Sequence, residues 1–466
     1  MRRNILLLVA ATAIALTAQP VAKQTALDRY VAAPDPNFKW ELVNTIEGKG
    51  FKAYVLDMTS QKWRDEKEVN RPYWKHWVTV YRPDVVKTTT GFLFVAGGSI
   101  NNPTPPSKAD PLTSQVAIDT GAVAVELRMI PNEPLTFSDE TKSRNEDGII
   151  AYTWDKFLRG GDENWPLRLP MTKAAVRAMD AVTAFCASEK GGAIKVDKYV
   201  VSGGSKRGWT SWTTAAVDKR IVAVVPLVID MLNMVPNFNH HWRVYGFWAP
   251  AIGDYASMGI MEWTNSKEYK KLMEIEEPYE YRDRLTMPKF ILNAAGDQFF
   301  IPDSSQFYWK DLKGEKHLRY IPNSDHGMGG TDALMSVIAY LDSIIKGTKR
   351  PEYTWDIKKN GDIRVKSKDK PSEVKVWMAV NPEARDFRVE KVGRIYKSTK
   401  LDPVKPGEWI AKAPKIEKGY AAYFVELQYP SGTKYPYKFT SGVKVWPDVY
   451  PHASYVSKKP MGTPLK

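Results

Sequence analysis

Between about residues 50 and 348, short apolar runs alternate with longer stretches whose apolar positions recur at helical spacing. "FKAYVLDMTS" and "KHWVTVYRP" alternate apolar and polar positions, the period-two pattern of half-exposed strands near one sheet edge. "GFLFVAGG", "AVAVELR", "KYVVSGG", "IVAVVPLVI", "PKFILNAAG" and "HLRYIP" are short apolar runs with β-branched residues. Strands written this way are covered on both faces, as in a parallel sheet. Helical patterns lie at 171–188, 207–217, 304–312 and 332–345. The alternation predicts an α/β protein with a doubly wound, mostly parallel sheet.

Two stretches break the rhythm and read as lid-like insertions. Residues 129–169 are rich in Pro, Asn, Asp and Trp, and residues 231–286 hold "NMVPNFNHHWRVYGFWAPAIGDY" before a charged helical segment. Excursions of this length usually cover a binding site; packing of their aromatic residues onto the sheet is the alternative. After "IIKGTKRPEY" the helical signal fades. "EVKVWMAVN" sets Val374, Val376, Met378 and Val380 on one side of a strand. "AAYFVELQYPSGTKYPYKF" reads as two strands around a Pro430-Ser431-Gly432 turn. An all-β sandwich over 350–455 is the expectation. With 466 residues, the chain exceeds the size at which one core stops growing. The division is therefore an α/β unit over 23–348 and the β sandwich after it.

Ahead of both lies a targeting segment. Arg2 and Arg3 precede "ILLLVAATAIALTA", too short for a comfortable membrane span, so residues 1–22 are expected to be a signal peptide and the mature protein periplasmic or secreted. Cys186 is the only cysteine, which excludes an internal disulfide, and its apolar helical setting predicts a buried, inert thiol. Net charge is +14, but the lysines fall in mixed-sign runs such as "KEYKKLMEIEEPYEYRDR" without basic arms or nucleic-acid motifs. A solvated surface is expected, with no nucleic-acid partner and no stable membrane insertion. "HHWR" lacks the i, i+4 histidine pair of a helical zinc site, so neither metal nor cofactor is expected.

"VVSGGSKRG" is where chemistry enters. A serine nucleophile needs its hydroxyl lifted off the sheet, a base in reach and backbone donors for the oxyanion. Val200 and Val201 end a strand, Gly203 and Gly204 precede Ser205, and a helix begins at once. That is the layout of a strand–turn–helix elbow, with the Lys206 N–H as one oxyanion donor and Gly97, Gly98 or Ser99 of "VAGGS" as candidates for the other, Gly98 being chosen. Glycine stands three places after the serine rather than two, with Arg207 between. Alone, the stretch does not separate a nucleophile elbow from a tight connection. Chain order adds the discrimination: nucleophile, acid, histidine, the last two after late strands. Asp297 follows "FILNAAG", and His326, the one histidine of six at the required topological position, follows "LRYIPNS". Asp303 reads as a cap for the helix near Ser304, and Asp325 adjoins His326 too closely to aim at it; Asp297 is favoured. Arg207 and Glu133 of "PNEPLTF" are candidate substrate-binding groups. Against this, Arg207 reads as a brace for the late loops and Glu133 as part of a surface turn.

Together "EVNRPYWKHWVTVYRP", "PNEPLTF", "VSGGSKRGWTSWTTAAVDKR", "VVPLVIDMLNM", "VYGFWAPAIGDY" and "NAAGDQFFIPDSS" closely resemble the PhoPQ-activated pathogenicity-related protein family, most strongly between Trp63 and Gly330. The resemblance implies an α/β-hydrolase akin to the dipeptidyl-peptidase and prolyl-oligopeptidase group, with Ser205 as nucleophile, Asp297 as acid and His326 as base. S-K-R-G-W is that family's usual form, so Arg207 is no defect; Gly204 stands where many members carry alanine. The expected activity is acyl transfer to water on a small peptide or ester substrate, peptidase or aminopeptidase action being favoured. A carbohydrate esterase, glucuronoyl-esterase-like, is the enzymatic alternative. A non-catalytic binding or signalling protein on the same fold is the other class.

Overall fold

A computed structural model describes residues 24–465, so the expected signal peptide lies outside the described residues. Nine strands form the central sheet: β1 (Lys39–Gly48), β2 (Phe51–Lys62), β3 (Tyr73–Pro83), β4 (Thr90–Val95), β5 (Ala124–Leu127), β6 (Lys198–Gly204), β7 (Ile221–Leu227), β8 (Lys289–Ala294) and β9 (Lys316–Ile321). Their order is β1-β2-β3-β5-β4-β6-β7-β8-β9. The first three pair antiparallel and β3 meets β5 antiparallel, whereas β5, β4 and β6 to β9 run parallel. This is the α/β-hydrolase order, with one extra strand at the front. The extra strand, β1, was not expected: it alternates between exposed and half-buried throughout, so no apolar face marks it in the sequence.

Parallel strands need cover on both faces, and they have it. Along β6, Tyr199 and Val201 join the core that holds the helices Arg168–Ala187 and Lys206–Val217, while Val200 turns to the core beneath Pro111–Thr120 and Ala333–Lys346. Cys186 is buried in the first of these cores, where burial pushes its thiol up to about 12. The helix expected over 304–312 is instead two short 3-10 turns, Ser304–Phe307 and Trp309–Asp311. Asp303 makes no cap there. Its carboxylate is taken by His240 Nε2 at 2.9 Å and Arg385 Nη2 at 2.6 Å, and Tyr308 between the turns reaches across to Asp230. Tertiary bonds have claimed the side chains that the local pattern assigned to a helix.

The C-terminal region is antiparallel β. One sheet holds β10 (Tyr353–Ile357), β11 (Ile363–Ser367) and β14 (Glu408–Ala411). The other holds β12 (Glu373–Asn381), β13 (Lys397–Lys400), β15 (Tyr420–Tyr429) and β16 (Tyr437–Thr440), with β17 (Lys444–Trp446) on β15. Successive residues of β15 divide between two cores. Tyr423, Val425 and Leu427 meet Ile363, Val365 and Trp409, while Phe424 packs 6.2 Å from Tyr320 of β9. On β12, Val374 is buried but Val380, expected on the same apolar face, is 42% exposed at the strand's end. The Tyr320 N–H donates to Thr440 Oγ1 at 3.0 Å, so the last strand of the central sheet does not present a bare edge.

Within the α/β unit itself, the ends of β7 and β9 are joined by a buried electrostatic contact. Asp230, just beyond β7, is fully buried and accepts hydrogen bonds from the Tyr308 and Tyr320 hydroxyls. Burial pushes its carboxyl up to about 8; the two tyrosines pull it down, but the nearby Asp297 and Asp303 charges add to the rise. An acid whose folded-state value lies above its unfolded one binds its proton more tightly when folded. Its contribution is complete at low pH and is lost as pH climbs towards 8. Roughly 2–3 kcal/mol of that loss falls between pH 6 and pH 8 at about 1.4 kcal/mol per unit. Asp230→Asn, which keeps an acceptor for one tyrosine, is expected to flatten this slope in urea unfolding at the two pH values; an unchanged slope would show that Asp230 titrates normally.

Candidate active site

Ser205 occupies a backbone conformation that few non-glycine residues tolerate, φ 57° and ψ −127°. It is held there from both sides. The Ser205 N–H donates to Leu227 O on β7 at 2.8 Å, and Ser205 O accepts from the Trp209 N–H at 3.0 Å in the following helix. The turn is tight because two glycines let backbones touch. A methyl group on Gly203 would lie 2.6 Å from Arg207 O, and one on Gly208 would lie 2.8 Å from Gly203 O. The glycine three places after the serine therefore does the work expected of one two places after. Gly204 is different, since a methyl there would meet nothing closer than Val228 at 4.0 Å. Gly204→Ala is expected to fold normally and gain about 0.5 kcal/mol from a stiffer unfolded chain, whereas Gly203→Ala should cost several-fold more than that. Denaturation midpoints of the two variants check this pair.

The acid and the histidine meet on the loops after β8 and β9. His326 Nδ1 lies 2.8 Å from Asp297 Oδ2 and 3.0 Å from Oδ1. A carboxylate only accepts, so Nδ1 carries the proton and Nε2 presents its lone pair. Asp297 is buried and further fixed by the Phe299 N–H at 2.7 Å, while the His326 N–H donates to Gln298 Oε1 at 2.9 Å. The C-terminal region buttresses both loops. Asn323 exchanges hydrogen bonds with the Tyr396 backbone at 2.8 and 2.9 Å, and the Val389 N–H donates to Gly296 O at 2.9 Å.

Phe299 joins the two halves. Its ring lies 4.3 Å from the His326 imidazole, and with Phe300 it lines the narrow cavity of about 40 Å³ that opens at Ser205. Both insertions contribute walls: Asp147 and Trp154 from the first, Met234, Phe238, Ile252 and Tyr255 from the second. Among the described residues no hydrogen bond yet joins Ser205 Oγ to His326 Nε2, a contact that often tightens only with substrate.

Of the oxyanion candidates, the Lys206 N–H begins the helix and has no acceptor among the described residues. Gly98 lies in the loop after β4, which neighbours β6 through the Val95–Gly203 pair, and adopts φ 130°. Its N–H also has no acceptor among the described residues.

Arg207 and Glu133 are placed otherwise than the sequence suggested. Arg207 braces the early loops, not the late ones: Nε donates to Ile130 O at 2.5 Å and Nη2 to Glu146 Oε1 at 2.6 Å, with Gly97 against its guanidinium. The reason is direction, since the elbow aims this side chain at the loop after β5. Glu133 is no surface turn. It is buried and accepts the Glu146 N–H at 2.5 Å. Burial, with the Glu146 charge beside it, pushes its carboxyl up to about 7. Burial raises Glu146 as well, but Arg207 and Lys206 outweigh this and hold it at about 2. Lys206 Nζ completes the network at 2.6 Å from Glu146 and 3.0 Å from Asp147.

Sequence reasoning missed Arg168 and Glu276, both fully buried behind the elbow. Neither belongs to a recognisable motif, and Arg168 opens a helix that also carries Lys173, Arg177 and Asp180, so its charge alone gave no signal. Among the described residues no group of three or more His, Cys, Asp or Glu is arranged to hold a metal ion, and no helix is long and apolar enough to cross a membrane.

The family described as PhoPQ-activated pathogenicity-related protein matches residues 27–388. The chain is 39% identical over 458 residues to Autocrine proliferation repressor protein A of Dictyostelium discoideum, covering 92% of each. Among solved structures, an acetyl xylan esterase from Paenibacillus sp. R4 aligns with a TM-score of 0.48 at 12% identity, over 70% of this chain and 96% of that one. A glucuronoyl esterase from Solibacter usitatus aligns with a TM-score of 0.42 at 13% identity, over 70% and 91%.

Proposed function

The chain belongs to the PhoPQ-activated pathogenicity-related protein family, and from its site we propose that it is a serine hydrolase, exported to the periplasm or beyond, acting on esters. The observation that carries the reading is the strained Ser205 elbow facing a cavity whose Phe299 wall packs on a histidine already oriented by a buried aspartate.

Ser205 Oγ attacks the substrate carbonyl as His326 Nε2 takes its proton. The carbonyl oxygen becomes an oxyanion, met by the N–H of Lys206 and of Gly98. When the C–O bond breaks, His326 returns the proton to the departing alkoxide, leaving Ser205 acylated. Water then repeats the sequence and releases the acid. Asp297 keeps the imidazole in the accepting tautomer and stabilises its cation.

An ester substrate is preferred to a peptide with a free amino terminus because the carboxylates nearest the elbow are already engaged. Glu133 is buried under Glu146, and Glu146 and Asp147 are already paired with Lys206 and Arg207. The relative's name, a proliferation repressor, favours a signalling role as the second reading. Purified protein assayed against matched 4-nitrophenyl esters and 4-nitroanilides separates these. Ester turnover with little amide turnover supports the proposal, dominant amide turnover restores the peptidase, and none with either supports the signalling reading.

A further inference from the structure

Arg168 is 2% exposed, yet its guanidinium is incompletely bonded. Nη1 donates to Lys206 O at 3.0 Å, directly behind the nucleophile. Nε faces Glu276 Oε2 at 3.7 Å, too far for a hydrogen bond, and both atoms are buried without partners. Nη2 has no acceptor among the described residues. The guanidinium is held in place by stacking 4.8 Å over the Trp209 ring and by its Nη1 bond to Lys206 O, while the backbone N–H is tied to Glu276 Oε1 at 3.2 Å. Arg168 also lines the Ser205 cavity. A donor held in the interior without an acceptor is costly, and the cavity that Arg168 lines gives an acceptor a route to it.

The cavity's size and charge narrow what that acceptor is. About 40 Å³ holds roughly three water-sized groups. Its other walls are largely aromatic or aliphatic, among them Trp209, Met231 and Phe300. A second carboxylate would bring negative charge towards Asp147 and Glu276, whose cations are already engaged. A neutral oxygen suits the site better, because it completes the guanidinium without unbalancing the pair.

Resting on the hydrolase reading above, we propose that Arg168 sets substrate specificity by donating from Nη2 to a neutral oxygen within a short acyl group, so that the enzyme takes small alkoxy-, hydroxy- or oxo-acyl esters. The acyl chain carries no more than about three non-hydrogen atoms beyond the reacting carbonyl.

The test compares 4-nitrophenyl methoxyacetate with 4-nitrophenyl butyrate, near-isosteric esters differing by one oxygen, with the hexanoate as a length control. Each kcat/KM is divided by the ester's own rate with hydroxide to remove intrinsic reactivity. Wild type is expected to favour the methoxyacetate by about 10-fold or more, the usual range for a buried hydrogen bond to a charged group. It should also turn over the hexanoate worst. Arg168→Lys, which keeps a cation opposite Glu276 but loses the second donor arm, should erase the oxygen preference more than it lowers butyrate turnover. Should that variant not fold, the wild-type ratio alone decides. A normalised ratio near one, or a preference for the longer apolar chain, with Ser205 still reacting with a fluorophosphonate, overturns the inference and leaves the hydrolase reading intact. Loss of both ester turnover and fluorophosphonate reaction overturns both.

Discussion

Ser205→Ala is expected to lower kcat on any ester by at least about 10⁴-fold while leaving the fold intact. The hydroxyl makes no hydrogen bond among the described residues, so removing it orphans no partner. The backbone bonds that impose φ 57°, to Leu227 O and from the Trp209 N–H, do not involve the side chain. Alanine inherits the same strain, and stability should stay within about 0.5 kcal/mol of wild type. Ser205→Gly should go further and raise stability by about 1 kcal/mol, because glycine alone accepts this conformation without penalty. A protein more stable without its serine is one that holds strain for the sake of that serine. Kinetics and urea denaturation on the same three preparations check both halves.

Asp297→Asn should be nearly as damaging, by about 10⁴-fold in kcat with little change in KM. The carboxylate's Oδ1 accepts the Phe299 N–H at 2.7 Å and the Phe300 N–H at 3.3 Å. An asparagine keeps its amide oxygen on those donors and turns its NH2 towards His326 Nδ1. That nitrogen must then accept, which forces the proton onto Nε2, the atom required to receive the proton of Ser205. Geometry survives while the tautomer reverses. A substitution acting through packing would raise KM and lower stability as well, so pre-steady-state kinetics with calorimetry distinguish the two.

Much of this candidate site is legible in the sequence. Ser205 and His326 stand out because nucleophile, acid and base must follow the ends of parallel strands, and "KYVVSGG" and "HLRYIP" are written as such strands. The apolar alternation gave eight strands of the central sheet, since burial on defined faces leaves a period. It failed at β1, where neither face is buried, and at 304–312, where Asp303 and Tyr308 answer to partners far along the chain. It could not place Arg207 or Glu133 either. Their partners, Ile130 O and Glu146 Oε1 for Arg207 and the Glu146 N–H for Glu133, all lie in the first insertion, and no local pattern records which atoms a loop presents. Arg168 is the extreme case: its meaning lies wholly in the groups that fail to satisfy it.

The most direct trial is intact-mass analysis of the protein after exposure to a small fluorophosphonate, followed by digestion. A single covalent adduct on the peptide containing Ser205, absent from Ser205→Ala and much slower in Asp297→Asn, is the expected result. A folded wild type that takes up no adduct, or takes it up elsewhere, would show that Ser205, Asp297 and His326 do not act together as a nucleophile.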